Sequence, residues 1–344
     1  MSRLPAFPVT AVMFVAAVTT TLAWWLNVDM SLLVMHPDIH RGELWRLFTS
    51  TLLHANLLHL AFNLYWLWVF GSALESHYGP VRTALVYLVL GVGSSAAEWA
   101  LAEGGVGLSG IGYGLFGLMW VLSRRHPRFS DVVDRPTVQL FVGWFILCIV
   151  LTEAGMWSIA NVAHGSGAVF GLLLGAAITA PPVRRVAFAA VFVLAMGVSI
   201  VGATVGRAHV NIFGGAGHDF RYLAYTALTE EDYAASVEWG RRAVAIEPED
   251  AGGWINLALA YVELDDLDEA LAIAEEGAEA TAHDPKLVDL LRSLRLDRLQ
   301  AALAAGDEQM AAKLLEDLNA SEPPTEAPAS PPLPEGATDP IPRP

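Results

Sequence analysis

Apolar residues run in seven stretches, at about residues 7–26, 52–71, 83–101, 108–122, 137–153, 158–179 and 186–206, with short polar or arginine-bearing segments between them. Each is near the roughly 20 residues that a helix needs to cross a bilayer, so the pattern predicts seven membrane-spanning helices. The first ends in Trp24 and Trp25, side chains that suit the membrane interface. Arg3 ahead of that run would also fit a signal peptide, but the run is long for one and no small-residue cleavage motif follows it.

Beyond residue 206 the long apolar runs stop. Trp254, Leu257, Ala258, Tyr261 and Ala270 stand at the spacing of the tetratricopeptide pattern W-x2-L-G-x2-Y followed by Ala, with Ala258 where glycine is usual. Ser236, Ala243 and Pro248 fit the end of a preceding unit and Pro285 closes the next, although 37 residues rather than 34 separate the two prolines. The spacing predicts two degenerate repeat units and a capping helical pair over 217–320, with a generic helical bundle as the alternative. From Ser321 on, nine prolines among 24 residues mark a disordered tail.

Composition sharpens this division. The chain is 54% hydrophobic and only 16% charged over 344 residues, too apolar for an ordinary soluble protein. Residues 1–206 hold ten Arg and nine Asp or Glu, net +1, whereas residues 207–344 hold ten Lys or Arg and 27 Asp or Glu, net −17. So acidic a second part argues against nucleic acid or anionic lipid as its partner. Arg124, Arg125, Arg128 and Arg135 crowd one loop, Arg184 and Arg185 another, and Arg82 a third. Placing these in the cytoplasm puts the N-terminus inside and everything after residue 206 outside, in a multi-pass protein of the plasma (inner) membrane. The single cysteine, Cys148, allows no intrachain disulfide.

The chemistry concentrates in Gly107-Leu108-Ser109-Gly110-Ile111-Gly112-Tyr113-Gly114-Leu115-Phe116-Gly117. Glycine weakens a water-exposed helix, but within a bilayer it lets a second backbone approach closely, and Gly110, Gly114 and Gly117 share one face. Ser109 and Tyr113, four apart, lie together. A serine so held becomes a nucleophile if a base stands opposite it. The second run offers His54, Asn56, His59 and Asn63, the sixth Asn161, His164 and Ser166. Polar groups in spanning helices are costly and mark functional sites. His59 and Asn63 present two donors from one face, and His164 shares a face with Gly167, Gly171 and Gly175. The glycines of the fourth and sixth helices can therefore meet and bring Ser109 within hydrogen-bonding reach of His164.

Gly107-x-Ser109-Gly110 with Tyr113, Ala163-His164-x-x-Gly167-x-x-x-Gly171, the upstream His59-x-x-x-Asn63 and Trp45-Arg46 in the first outer loop together resemble the rhomboid intramembrane serine proteases. The resemblance covers about residues 8–180. It implies an all-α polytopic bundle with a six-span core at 1–180, a seventh span at 181–206, and the soluble repeat domain at 217–320 outside it. It further implies that Ser109 is the nucleophile and His164 the general base. Tyr113 would stack on His164, and His59, Asn63 and the Ser109 N–H would form the oxyanion hole. Gly107, Gly110, Gly167 and Gly171 would support backbone shape and packing. The substrates would be single-span membrane proteins, cut in or near the bilayer, with a protein partner at the repeat domain.

The seven spans contain no Asp, which suits a Ser-His dyad and excludes an intramembrane aspartyl protease. H-E-x-x-H is absent too, so no metal site is implied, and no motif calls for a cofactor. The alternative is a rhomboid-like pseudoprotease that binds membrane clients without cleaving them. His54 is expected to make a structural hydrogen bond to the first outer loop, and Trp45 and Arg46 to anchor that loop. Glu98 and Glu153, near span ends, are expected to face the surface. Phe62 and Trp144 suit a gate between the second and fifth helices but are left outside the site.

Overall fold

A computed structural model describes residues 6–320, whose regular elements are all helices with no strand among them; the proline-rich tail expected at 321–344 lies outside the described residues. The chain divides into two compact units between Ala216 and Gly217. The first holds seven apolar helices: α1 (Pro8–Trp25), α2 (Leu57–Tyr78), α3 (Pro80–Leu101), α4 (Ser109–Ser123), α5 (Arg135–Glu153), α6 (Asn161–Thr179) and α7 (Pro182–Thr204). Six are long and apolar enough to cross a membrane, while α4, at 15 residues, falls short of that length. With its rhomboid-like motifs, this set makes the chain an integral multi-pass membrane protein.

Punctuation residues set the helix boundaries. Pro8, Pro80, Pro136 and Pro182 occupy first-turn positions, where a missing N–H costs nothing. The second apolar run predicted a helix from about residue 52, but α2 begins at Leu57 because the Asn56 side chain accepts the His59 N–H at 2.9 Å and caps it. Residues 53–56 are therefore loop, and His54 is not on the helix that carries His59.

Two helices lack a capping side chain of their own and borrow one. Glu75, buried near the end of α2, accepts the Val9 and Thr10 N–H groups of α1 at 2.9 Å each, and the Thr10 hydroxyl at 2.8 Å. Glu98, expected at the surface, is instead 3% exposed on α3 and accepts the Ala163 N–H of α6 at 2.7 Å. The first N–H groups of a helix have no intrahelical partner and attract negative charge, so a carboxylate on a neighbouring span is stabilised there even away from water. Glu153 is exposed, as expected.

Glycine fixes the centre of the bundle. A Cβ on Gly171 of α6 would overlap the Gly114 carbonyl oxygen and stand 2.8 Å from the Leu118 nitrogen of α4. One on Gly167 would overlap the Gly110 carbonyl oxygen, and one on Gly117 the Ala168 carbonyl oxygen. The α4 and α6 backbones thus touch directly. Gly110, Gly114 and Gly117 do not all face α6, however: the Cα hydrogens of Gly110 and Gly114 point toward Ser94 and Leu90 of α3. Consequently α4 is clasped on two sides. By contrast, α5 buries only Phe141 and Cys148, and α7 only Gly202 and Ala203.

The second unit is a run of paired helices, α8 (Ala216–Thr229), α9 (Tyr233–Ile246), α10 (Ala251–Glu263), α11 (Leu267–Ala280), α12 (Pro285–Ala305) and α13 (Glu308–Ala320). Its core gathers Trp254, Leu257, Ala258, Ala270, Ile273, Ala274 and Leu287, which include four of the five pattern residues of the repeat, and the fifth, Tyr261, packs partly buried against it. Asp232, Asp250, Asp266, Asp284 and Asp307 each accept a backbone N–H at a helix start. Part of the acidity of this unit is therefore helix capping.

Candidate active site

The glycine-rich stretch begins its helix at Ser109, and the turn before it is held open by Gly107, whose φ of +113° is a conformation that side chains resist. A Cβ at Gly107 would stand 2.7 Å from His59 Nε2 and 3.6 Å from Asn63 Nδ2. The two α2 side chains therefore converge on the loop that delivers Ser109. Capping by Asn56 fixes the first turn of α2 and with it the His59 backbone.

On the other side, α6 brings His164 against α4. Its ring lies on that of Tyr113, with centroids 4.7 Å apart and planes 25° from parallel. Tyr113 is fixed in turn by donating its hydroxyl to the Phe141 carbonyl at 3.1 Å. His164 is 4% exposed, and its Nδ1, like the Nδ2 of the buried Asn63, has no hydrogen-bond partner among the described residues. Both atoms belong to residues that line the cavity shared with Ser109.

Ser109, His164, His59, Asn63 and Tyr113 line one cavity of about 1240 Å³. The sequence expected Ser109 and His164 within hydrogen-bonding reach; they share the cavity, but no hydrogen bond joins them among the described residues. Contacts of this kind commonly tighten only once substrate is seated. Gly110, Gly167 and Gly171 serve the α3–α4–α6 packing, and Gly107 the serine loop.

Two features escaped the sequence reading, and an aromatic pair it left outside the site lines the cavity. His54 does not bond the first loop: its Nε2 accepts the Leu108 N–H at 3.3 Å, its Nδ1 lies 3.3 Å from the Thr21 hydroxyl, and its ring meets that of His59 edge to face. It braces the residue just before Ser109. Glu98 lines the cavity while holding the first turn of the helix that carries His164. Phe62 and Trp144 stack at 5.4 Å and line the cavity between α2 and α5.

The first loop is built on Arg46, 3% exposed, which donates to the Ser31 and Val34 carbonyls at 2.5 and 3.1 Å and pairs with the Glu43 carboxylate. Trp45, half exposed, donates its indole N–H to the Leu32 carbonyl at 3.2 Å.

Comparison with known proteins gives two family matches and a relative. Residues 41–181 match the Rhomboid domain family, and residues 227–294 match the Tetratricopeptide repeat family. The Rhomboid protease GlpG of Photorhabdus laumondii subsp. laumondii is 37% identical over 147 residues, covering 42% of this chain and 51% of that protein. The chain thus spans about half the length of this curated relative. The segment from Arg41 to Pro181, which contains Ser109, His164, His59, Asn63 and Tyr113, is thus similar to rhomboid domains, and residues 227–294 are similar to tetratricopeptide repeats.

Proposed function

We propose that this chain is an intramembrane serine endopeptidase that cleaves single-span membrane proteins in or near their transmembrane segment. The observation that carries the reading is the convergence of Ser109, His164, His59 and Asn63 on one cavity, with His164 held by the Tyr113 ring. The Ser109 hydroxyl attacks the scissile carbonyl carbon while His164 takes its proton. The resulting oxyanion is met by the free Asn63 Nδ2, by His59 and by the Ser109 N–H. Collapse breaks the C–N bond, the His164 proton passes to the departing amine, and an acyl ester remains on Ser109. Water, deprotonated by His164, hydrolyses that ester and restores both residues.

In this reading residues 1–180 are the catalytic core, 181–206 a seventh span and 217–320 a partner-binding domain. The arginine-rich loops support an N-terminus in the cytoplasm and repeats outside, and the reading takes the membrane to be the plasma (inner) membrane. The test is labelling by a fluorophosphonate serine-hydrolase probe. Folded wild-type protein should label, and Ser109→Ala and His164→Ala should not. Labelling that persists in Ser109→Ala refutes the nucleophile, and none in the folded wild type favours client binding without cleavage.

A further inference from the structure

The cavity has a wall that the rhomboid domain does not supply. After α7 the chain makes one helical turn, Arg207–Val210, and then passes over the end of α3. Arg207 is fully buried, its guanidinium 4.0 Å above the Trp99 ring, and it donates to the Ala102 carbonyl at 2.7 Å. Asn211 donates to the Ala100 and Ala102 carbonyls at 3.4 and 3.3 Å, and the Ile212 and Phe213 N–H groups share the Leu101 carbonyl at 3.2 and 2.9 Å. The final carbonyls of a helix lack partners and carry its negative dipole end, so a segment with one arginine and several donors is bound there firmly. What it binds is the start of the loop 102–108, which ends at Ser109.

At the end of this strap stands Phe213. Phe213 is 61% exposed and lines the cavity, together with Met156 and Trp157 from the loop between α5 and α6. This puts an open aromatic residue in the wall of the cavity that Ser109 also lines.

We infer that the Arg207–Phe213 strap determines specificity: Phe213 forms one wall of a subsite for a large apolar side chain of the substrate, and Arg207 is a positioning residue that holds the strap on α3. This rests on the protease reading above. The strap follows the seventh span and lies outside residues 41–181, so the subsite belongs to this chain's extension and not to its rhomboid domain.

The experiment uses the full chain in detergent and two phosphonate probes that differ only in carrying a benzyl or a methyl group. The ratio of their labelling rates at Ser109 is the readout. Wild type should prefer the benzyl probe. Phe213→Ala should lower the ratio about tenfold, the scale on which apolar pockets discriminate side-chain size. Arg207→Lys, which keeps the charge but loses the planar stack, should lower it in the same direction although Arg207 does not touch the cavity. Ile212→Ala, next to Phe213 but not lining the cavity, should leave it unchanged. Labelling of wild type with the same ratio in Phe213→Ala overturns the strap's role alone. Labelling by neither probe overturns the protease reading, and the inference with it.

Discussion

Alanine for glycine should have opposite effects at two places in the same bundle. In a helix interior alanine is favoured by about 0.5–1 kcal/mol, because glycine loses more backbone freedom on folding. At Gly197 of α7 a new Cβ meets nothing within 4 Å, so Gly197→Ala should gain up to that amount. At Gly171 the same atom lands on the Gly114 carbonyl and 2.8 Å from the Leu118 nitrogen, where ordinary contact begins near 3.4 Å. Both obstacles are backbone, so no rotamer change relieves them; α4 and α6 must separate along their whole contact. Overpacking costs about 1–3 kcal/mol, and with backbone on both sides the upper end applies, leaving a net loss of about 2 kcal/mol after the propensity gain. Thermal unfolding in detergent should place Gly171→Ala below wild type and Gly197→Ala at or above it. Probe labelling should slow in the first alone, because the same separation draws His164 from Ser109. A Gly171→Ala protein as stable and as reactive as Gly197→Ala would refute the backbone contact.

Removing the Glu98 carboxylate should act on His164 through its helix. Glu98→Leu leaves the buried Ala163 N–H unpaired, at about 1–3 kcal/mol, and should slow Ser109 labelling; Glu98→Gln, which keeps an acceptor, should restore most of the rate. Arg46→Ala strands the Ser31 and Val34 carbonyls and the Glu43 carboxylate and should cost about 3 kcal/mol by denaturant titration, with Arg46→Lys recovering only part, since it lacks the fork that reaches all three. In the repeats, Trp254→Ala removes a 4%-exposed indole whose N–H donates to the Pro248 carbonyl and should cost about 3–5 kcal/mol. That loss should appear as earlier unfolding of the repeats by circular dichroism.

Much of the site was legible because its residues recur at helical spacing. Ser109 and Tyr113 are one turn apart, as are His59 and Asn63, and the α6 glycines mark the face that carries His164. What escaped depends on contacts between distant segments. Glu98 lies 65 residues from the amide it holds, and a carboxylate near a span end reads as solvated in any one-dimensional pattern. Its only trace is its place one turn after Ser94, on the face that meets Gly110. The late start of α2 was hidden because Leu52 and Leu53 continue the apolar run, although Asn56 followed by His59 is a capping arrangement. Nothing in the sequence ties Arg207 to Trp99.

The length of α4 sets a depth. Fifteen residues rise about 22 Å, against about 30 Å of hydrocarbon. With Arg124 and Arg125 at one membrane surface, Ser109 stops about 8 Å short of the other. Lipid does not close that gap by thinning, because α4 is walled in by its neighbours and Leu115, Leu118 and Met119 are fully buried. In the proposed reading the shortfall would become a well instead, reached through the cavity that Ser109 lines. A soluble loop would have to give up its water to descend into it. In the proposed protease reading a spanning segment already stands at that level and need only unwind, so the short helix would act as a gauge that sorts peptide bonds by their height in the membrane.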